Sequence, residues 1–179
     1  MQRLLYNGGY LWEITKKLRI VLERYSHFGL PIHFTENTLV SGDLLPAHII
    51  DLNDFQVDEW PSTPEFEERQ MQQWEEMYRI LFEHPLVEAI TGWDFTDGMW
   101  LKAPSGFIHA DNTVKPVYNR LKELVKGEWW TDIEVCTDEN GFVHLEGYKG
   151  DYLLSDGIHN TSLKLSATSE DDIPSISLK

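Results

Sequence analysis

Between residues 11 and 127 the chain alternates amphipathic helices with short strands, in the order helix, strand, helix, strand, helix. That order leaves few folds open. Strands joined through helices run parallel, because a parallel pair needs a crossover of a dozen or more residues. In residues 11–28, Leu11, Ile14, Leu18, Val21, Leu22, Tyr25 and Phe28 recur at spacings of three and four and define one apolar helix face. Gly29 stops this helix, as glycine does just past a C-terminus. Leu30-Pro31-Ile32-His33-Phe34-Thr35-Glu36 follows at once and reads as a short buried strand that ends on a carboxylate.

The next helix announces its own start. Thr63 is a good N-cap, Pro64 suits the first helical position, and Glu65, Glu67 and Glu68 place negative charge in the first turn, where the helix dipole favours it. Phe66, Met71, Trp74, Met77, Tyr78, Leu81 and Phe82 form its apolar face, and His84-Pro85 ends it. A second strand is expected at 87–94, then a loop to about Asn112. A third helix is expected from near Val114 to Gly127, with Pro116 in its first turn. Residues 37–63 show little periodicity and make a long connection, which in a compact domain is usually functional. It leaves from the strand end that bears Glu36, so it is read as the wall of a cleft.

After Trp129-Trp130 the texture changes. Residues 133–137 and 142–145 flank Asp138-Glu139-Asn140-Gly141, a hairpin pattern, and residues 152–154 and 162–165 read as two further strands. The expected division is therefore an α/β region over residues 1–130, a small β extension over 131–166, and a frayed Ser/Asp/Glu-rich tail over 167–179.

Composition narrows the partners. A net charge of −15 and a pI near 4.7 argue against nucleic acid and anionic membranes, both of which need a basic surface. No apolar run approaches the roughly 20 residues of a membrane span, and the first residues show no signal-peptide pattern. The single Cys136 excludes an intrachain disulfide framework. No cofactor or metal is expected. His33, His48 and His109 lack the close spacing of a metal site, His33 reads as a satisfied strand histidine, and Gly8-Gly9 has no phosphate-loop context.

Four residues remain as candidates for chemistry. Glu36 sits where a parallel α/β barrel carries its catalytic groups, at a strand's C-terminal end. Alternatively it is an exposed loop carboxylate or one that ion-pairs. Trp93 and Trp100 flank a polar cluster, and indole faces stack well on the apolar faces of sugar rings. Core packing is the other use of such residues. Asp97 is suited to positioning a ligand or a neighbouring residue, or to bonding its own loop backbone.

These stretches resemble a known family. Phe28-Gly-Leu-Pro-Ile-His-Phe-Thr-Glu36 resembles the seventh barrel strand of family 10 glycoside hydrolases, the endo-β-1,4-xylanases, in which a Thr-Glu pair carries the nucleophile. Ile90-Thr-Gly-Trp-Asp-Phe-Thr-Asp97, continuing to Trp100, looks like the eighth strand and its loop. Lys115-Pro116-Val117-Tyr118 resembles the Lys-Pro-Ala-Tyr start of the last helix. The resemblance covers roughly residues 8–130, and Gly147–Tyr152 resembles a small β extension found after the barrel in some relatives.

The resemblance implies the C-terminal portion of a TIM (β/α)8 barrel, strands 7 and 8 with their flanking helices. It implies retaining hydrolysis of β-1,4-xylan, with Glu36 as the nucleophile and Trp93, Trp100 and Asp97 contacting substrate. Two departures stand out. The family has an Asp two residues past the nucleophile where this chain has Thr38, and the acid/base Glu of the fourth strand has no counterpart here. The implied partners are xylan or xylo-oligosaccharide and the missing N-terminal half of the barrel, and the substrate class implies an extracellular or periplasmic place. Alone, the chain is expected to be inactive or very weak, and to self-associate through uncovered strand edges. The alternative is a non-catalytic carbohydrate-binding or degenerate remnant.

Overall fold

The computed structural model describes residues 11–46, 48–49, 51–143 and 145–165; the side chains of 11–14 and 52 are not among what it describes. The tail and Gly8-Gly9 lie outside the described residues. The chain divides into two compact units, Met1–Glu123 and Leu124–Lys179.

The first unit is α/β. Helix α1 spans Leu11–Ser26, strand β1 Ile32–Asn37, helix α2 Pro64–Glu83, strand β2 Val87–Gly92 and helix α3 Pro116–Glu123. The local signals act as expected. The Gly29 amide donates to the Ser26 carbonyl at 2.9 Å and Gly29 takes φ +63°, so the residue that ends α1 is the one without a Cβ to clash. The Thr63 side chain accepts from the Phe66 amide, Pro64 begins α2, and His84 caps its end in an extended conformation.

Strands β1 and β2 pair in parallel, with α2 as their crossover. Leu18 and Leu22 of α1, Ile32 and Phe34 of β1, Trp74, Met77, Ile80 and Leu81 of α2, and Val117 and Leu121 of α3 are buried and form the core. Expected face residues Tyr25, Phe28 and Phe82 are exposed instead, at the ends of their helices. Gln70 and Gln73 of α2 are buried, which a polar residue tolerates only when bonded. The Gln70 side-chain nitrogen donates to the Leu39 carbonyl at 2.7 Å and more loosely to that of Gly106, while its Oε1 has no hydrogen-bond partner among the described residues. Among the described residues the two strands form no closed barrel.

Among the described residues the second unit contains one antiparallel pair, β3 (Gly150–Ser155) with β4 (Asn160–Leu165), in register from Gly150 opposite Leu165 to Ser155 opposite Asn160. The hairpin expected at 133–145 is corrected in part. Its turn is present: the Asp138 amide donates to the Phe142 carbonyl at 2.7 Å, and the Asp138 carboxylate accepts from the Asn140 and Phe142 amides. Among the described residues the flanks form no ladder. Ile133, Val135 and Phe142 are at least half exposed, so neither flank has a buried face to fix its register.

Candidate functional site

Glu36 lies near the C-terminal end of β1, within an irregularity of the sheet. From Phe34 to Asn37 the strand advances three residues while its partners on β2, Ile90 to Gly92, advance two. One extra residue is therefore accommodated on β1, as in a β-bulge, and Glu36 takes φ +59°. A left-handed conformation costs a non-glycine residue roughly 1–2 kcal/mol, and strain of this kind concentrates at functional sites. The neighbouring Asn37 is the brace. Its side-chain amide donates to the Phe34 carbonyl at 3.0 Å and to the Thr91 carbonyl at 2.9 Å, and its own carbonyl accepts from the Trp93 amide at 2.9 Å. Glu36 and Trp93 thus leave adjacent strand ends on the same side of one parallel pair. Both are exposed.

The other two candidates are held differently. Trp100 is half-buried and packs against the small cluster of Trp60 and Ala103, together with Val40, Leu45, Phe55 and Val57 from the long loop after β1. Asp97 belongs to a closed polar ring. The ammonium of the fully buried Lys115 donates to Asp97 at 2.9 Å and to the Ser41 hydroxyl at 2.8 Å. Ser41 meets the Ser62 hydroxyl at 2.7 Å, and Ser62 donates to Glu67 at 3.0 Å. The His109 ring closes the circuit, with Nε2 3.6 Å from Glu67 and Nδ1 3.7 Å from Asp97.

The ring gathers the loop after β1, the first turn of α2 and the loop after β2 around an open cleft of about 590 Å³. Trp60, Ser62, Glu67, Asp97, Lys102, His109 and Asp111 are among its lining residues. Gly106 is required there, because a Cβ at this position would run into the backbone of Thr96 and Asp97; its amide donates to Asp97 at 2.8 Å.

Electrostatics follow from this burial. Burial pushes the Lys115 ammonium below its usual range, and the bond and charge of Asp97 oppose the shift. Burial pushes the Asp94 carboxyl up, against a 2.6 Å bond from the Ser105 hydroxyl, and Asp97 adds to the rise. Among the described residues no group of three His, Cys, Asp or Glu side chains is arranged to hold a metal ion, and no helix is long and apolar enough to cross a membrane.

Sequence reasoning missed most of this ring. Glu67 reads as helix-dipole chemistry, Ser41 and Ser62 as loop residues, and His109 as isolated. His33 is a partnered strand histidine, as expected: it lies in β1, exposed, and faces Glu88 of β2 at 3.4 Å. Asp97 carried a signal as a candidate residue, and Lys115 carried one through its place in Lys115-Pro116-Val117-Tyr118.

No protein-family model matches the chain. It is 28% identical over 131 residues to the anti-sigma-I factor RsgI6 of Acetivibrio thermocellus, covering 73% of this chain and 17% of that protein. It is 27% identical over 137 residues to endo-1,4-beta-xylanase 2 of Arabidopsis thaliana, covering 76% of this chain and 11% of that protein. The chain resembles part of a family 10 xylanase.

Among solved structures, xylanase 10B from Thermotoga petrophila RKU-1 in complex with xylobiose superposes with a TM-score of 0.47 at 22% identity, over 69% of this chain and 34% of that one. Xylanase B from Clostridium stercorarium F9 superposes with a TM-score of 0.48 at 15% identity, over 65% and 33%. The chain spans less than a fifth of the length of the two curated relatives.

Proposed function

We propose that residues 11–130 are the C-terminal portion of a family 10 glycoside hydrolase barrel, with β1 and β2 as its seventh and eighth strands and residues 131–166 as a small β extension. In this reading the protein hydrolyses β-1,4-xylan with retention. Glu36 attacks the anomeric carbon and forms the glycosyl-enzyme bond, while the leaving oxygen takes a proton from a second carboxyl about 5–5.5 Å away. That acid/base comes from barrel strands not described here. Trp93 supplies a stacking face beside Glu36, and Trp100 with Asp97 shapes the loop behind it.

The observation that carries this reading is Glu36 itself. It is a carboxylate in a strained backbone conformation near the end of a parallel strand, with an exposed indole on the adjacent strand end. Two features favour a second reading, saccharide binding without turnover. Thr38 stands where the family has an acidic residue, and its hydroxyl is buried with no hydrogen-bond partner among the described residues. One of the two curated relatives is named an anti-sigma-I factor.

Reducing-sugar release from xylan separates the two. The chain is assayed alone, co-expressed with an N-terminal barrel half, and as that pair carrying Glu36→Gln. Activity confined to the complemented pair, and lost in the variant, supports a nucleophile at Glu36. A soluble pair that binds xylo-oligosaccharide without turnover supports the binding reading.

A further inference from the structure

We propose that His109 is a proton-operated strap that fastens the loop after β2 onto the first turn of α2, closing one side of the cleft in mild acid and releasing it near neutral pH. The argument starts from valence. Both ring nitrogens face carboxylate oxygens, Nε2 toward Glu67 and Nδ1 toward Asp97. A neutral imidazole has one N–H, so one nitrogen would turn a lone pair toward an anionic oxygen; only imidazolium presents an N–H to both sides. Histidine is the side chain whose charge ordinarily changes between about pH 5 and 8.

The surroundings set the sign. On the loop, Asp97 and Asp111 face the ring. Asp111 is held below the usual carboxylate range chiefly by the Thr113 hydroxyl and amide, and His109 adds to this by its charge. From α2 comes Glu67. Lys115, just before α3, is paired with Asp97, while Lys102 lines the cleft and donates to the Asp58 carbonyl. Removing the ring proton therefore leaves three carboxylates on one side of the cleft with a single buried ammonium among them.

What the strap restrains is also visible. Leu101 and Lys102 both hold φ above +50° without being glycine, a strained segment between Asp97 and His109 that unfastening would free. Trp100 rides on the same segment.

Hydrogen exchange of peptides spanning residues 98–113 in the full chain, corrected for intrinsic rates, tests this without any saccharide. It therefore fails or holds independently of the xylanase reading. The wild type should exchange about two- to fivefold faster at about pH 7.5 than at about pH 5.5, the range expected of one partly exposed ion pair. His109→Gln should exchange at the faster rate at both pH values. Glu67→Gln keeps an oxygen for Ser62 and should also lose the pH dependence, which carries the test should His109→Gln fold poorly. A wild type with no pH dependence, or a dependence that survives either substitution, overturns the proposal.

Discussion

The first unit links polar groups from separate segments to one another, whereas the described part of the second leaves several large apolar side chains exposed. In the first, a fully buried lysine, two carboxylates, two serines and a histidine close a ring that ties three separate segments together. In the second, Trp130, Ile133, Val135, Phe142 and Leu153 are all at least half exposed, and the described strands are a single two-stranded pair. An isolated hairpin is marginal in water, and a turn by itself does not create a ladder. The contrast teaches that order here follows long-range partners more than local pattern: both units carry good turn and cap signals, and only one converts them into packing.

Three measurements press on that contrast. The largest effect is expected for Lys115→Met. It strands Asp97 as a poorly solvated charge and removes the donor to Ser41, and breaking a buried pair from one side costs about 3–5 kcal/mol. Urea unfolding should lose that much from the transition of the first unit, while hydrogen exchange in β3 and β4 stays as in the wild type. Loss of protection in both units together would break the comparison.

A smaller effect is expected from the surface bridge between α2 and α3. Arg120 donates to both oxygens of Glu75 at 2.6 and 2.7 Å, and Arg79 adds a third bond at 3.0 Å. The Arg120 bond, opposed by burial and helped by Arg79, holds the Glu75 carboxyl down at about 2 instead of 4.5. A depressed carboxylate contributes stability that is complete above the unfolded value and is lost as pH falls through the folded one. The contribution should therefore fade between about pH 5 and pH 2, and Glu75→Gln should cost about 1 kcal/mol at neutral pH and little at the acid end. Thermal melts across that range read it directly.

The smallest effect sharpens the other side. The Tyr152 hydroxyl donates to the Tyr148 carbonyl at 2.6 Å and meets the Thr131 hydroxyl at 3.3 Å, pinning the two extended flanks to β3. Tyr152→Phe should cost the second unit about 0.5–1 kcal/mol. It should appear as faster exchange around residues 148–155 with no change in the first unit's melt.

Much of the fold was legible in particular residues. Thr63 and Pro64 start α2 where they stand in the sequence, Gly29 closes α1, and the strands at Ile32 and Val87 pair in parallel because a helix separates them. The candidate site was legible at its strand ends, Glu36 and Trp93, and much less so in the ring behind them. Glu67 and His109 lie 42 positions apart, and Ser41 and Lys115 lie 74 apart. No periodicity within a helix or strand reports on such a pair. The flanks of the turn at Asp138 failed in the opposite direction: alternation and turn chemistry were present, but Ile133, Val135 and Phe142 stay at least half exposed.

The sequence by itself determined where α1 ends and where α2 begins and ends, because caps, glycines, prolines and apolar spacing act within a few residues of one another. Tertiary structure alone decided that Glu36 is lifted into a left-handed bulge, that Lys115 is buried against Asp97, and that His109 stands between two carboxylates. Those outcomes depend on burial and charge among segments that meet only after the chain has folded.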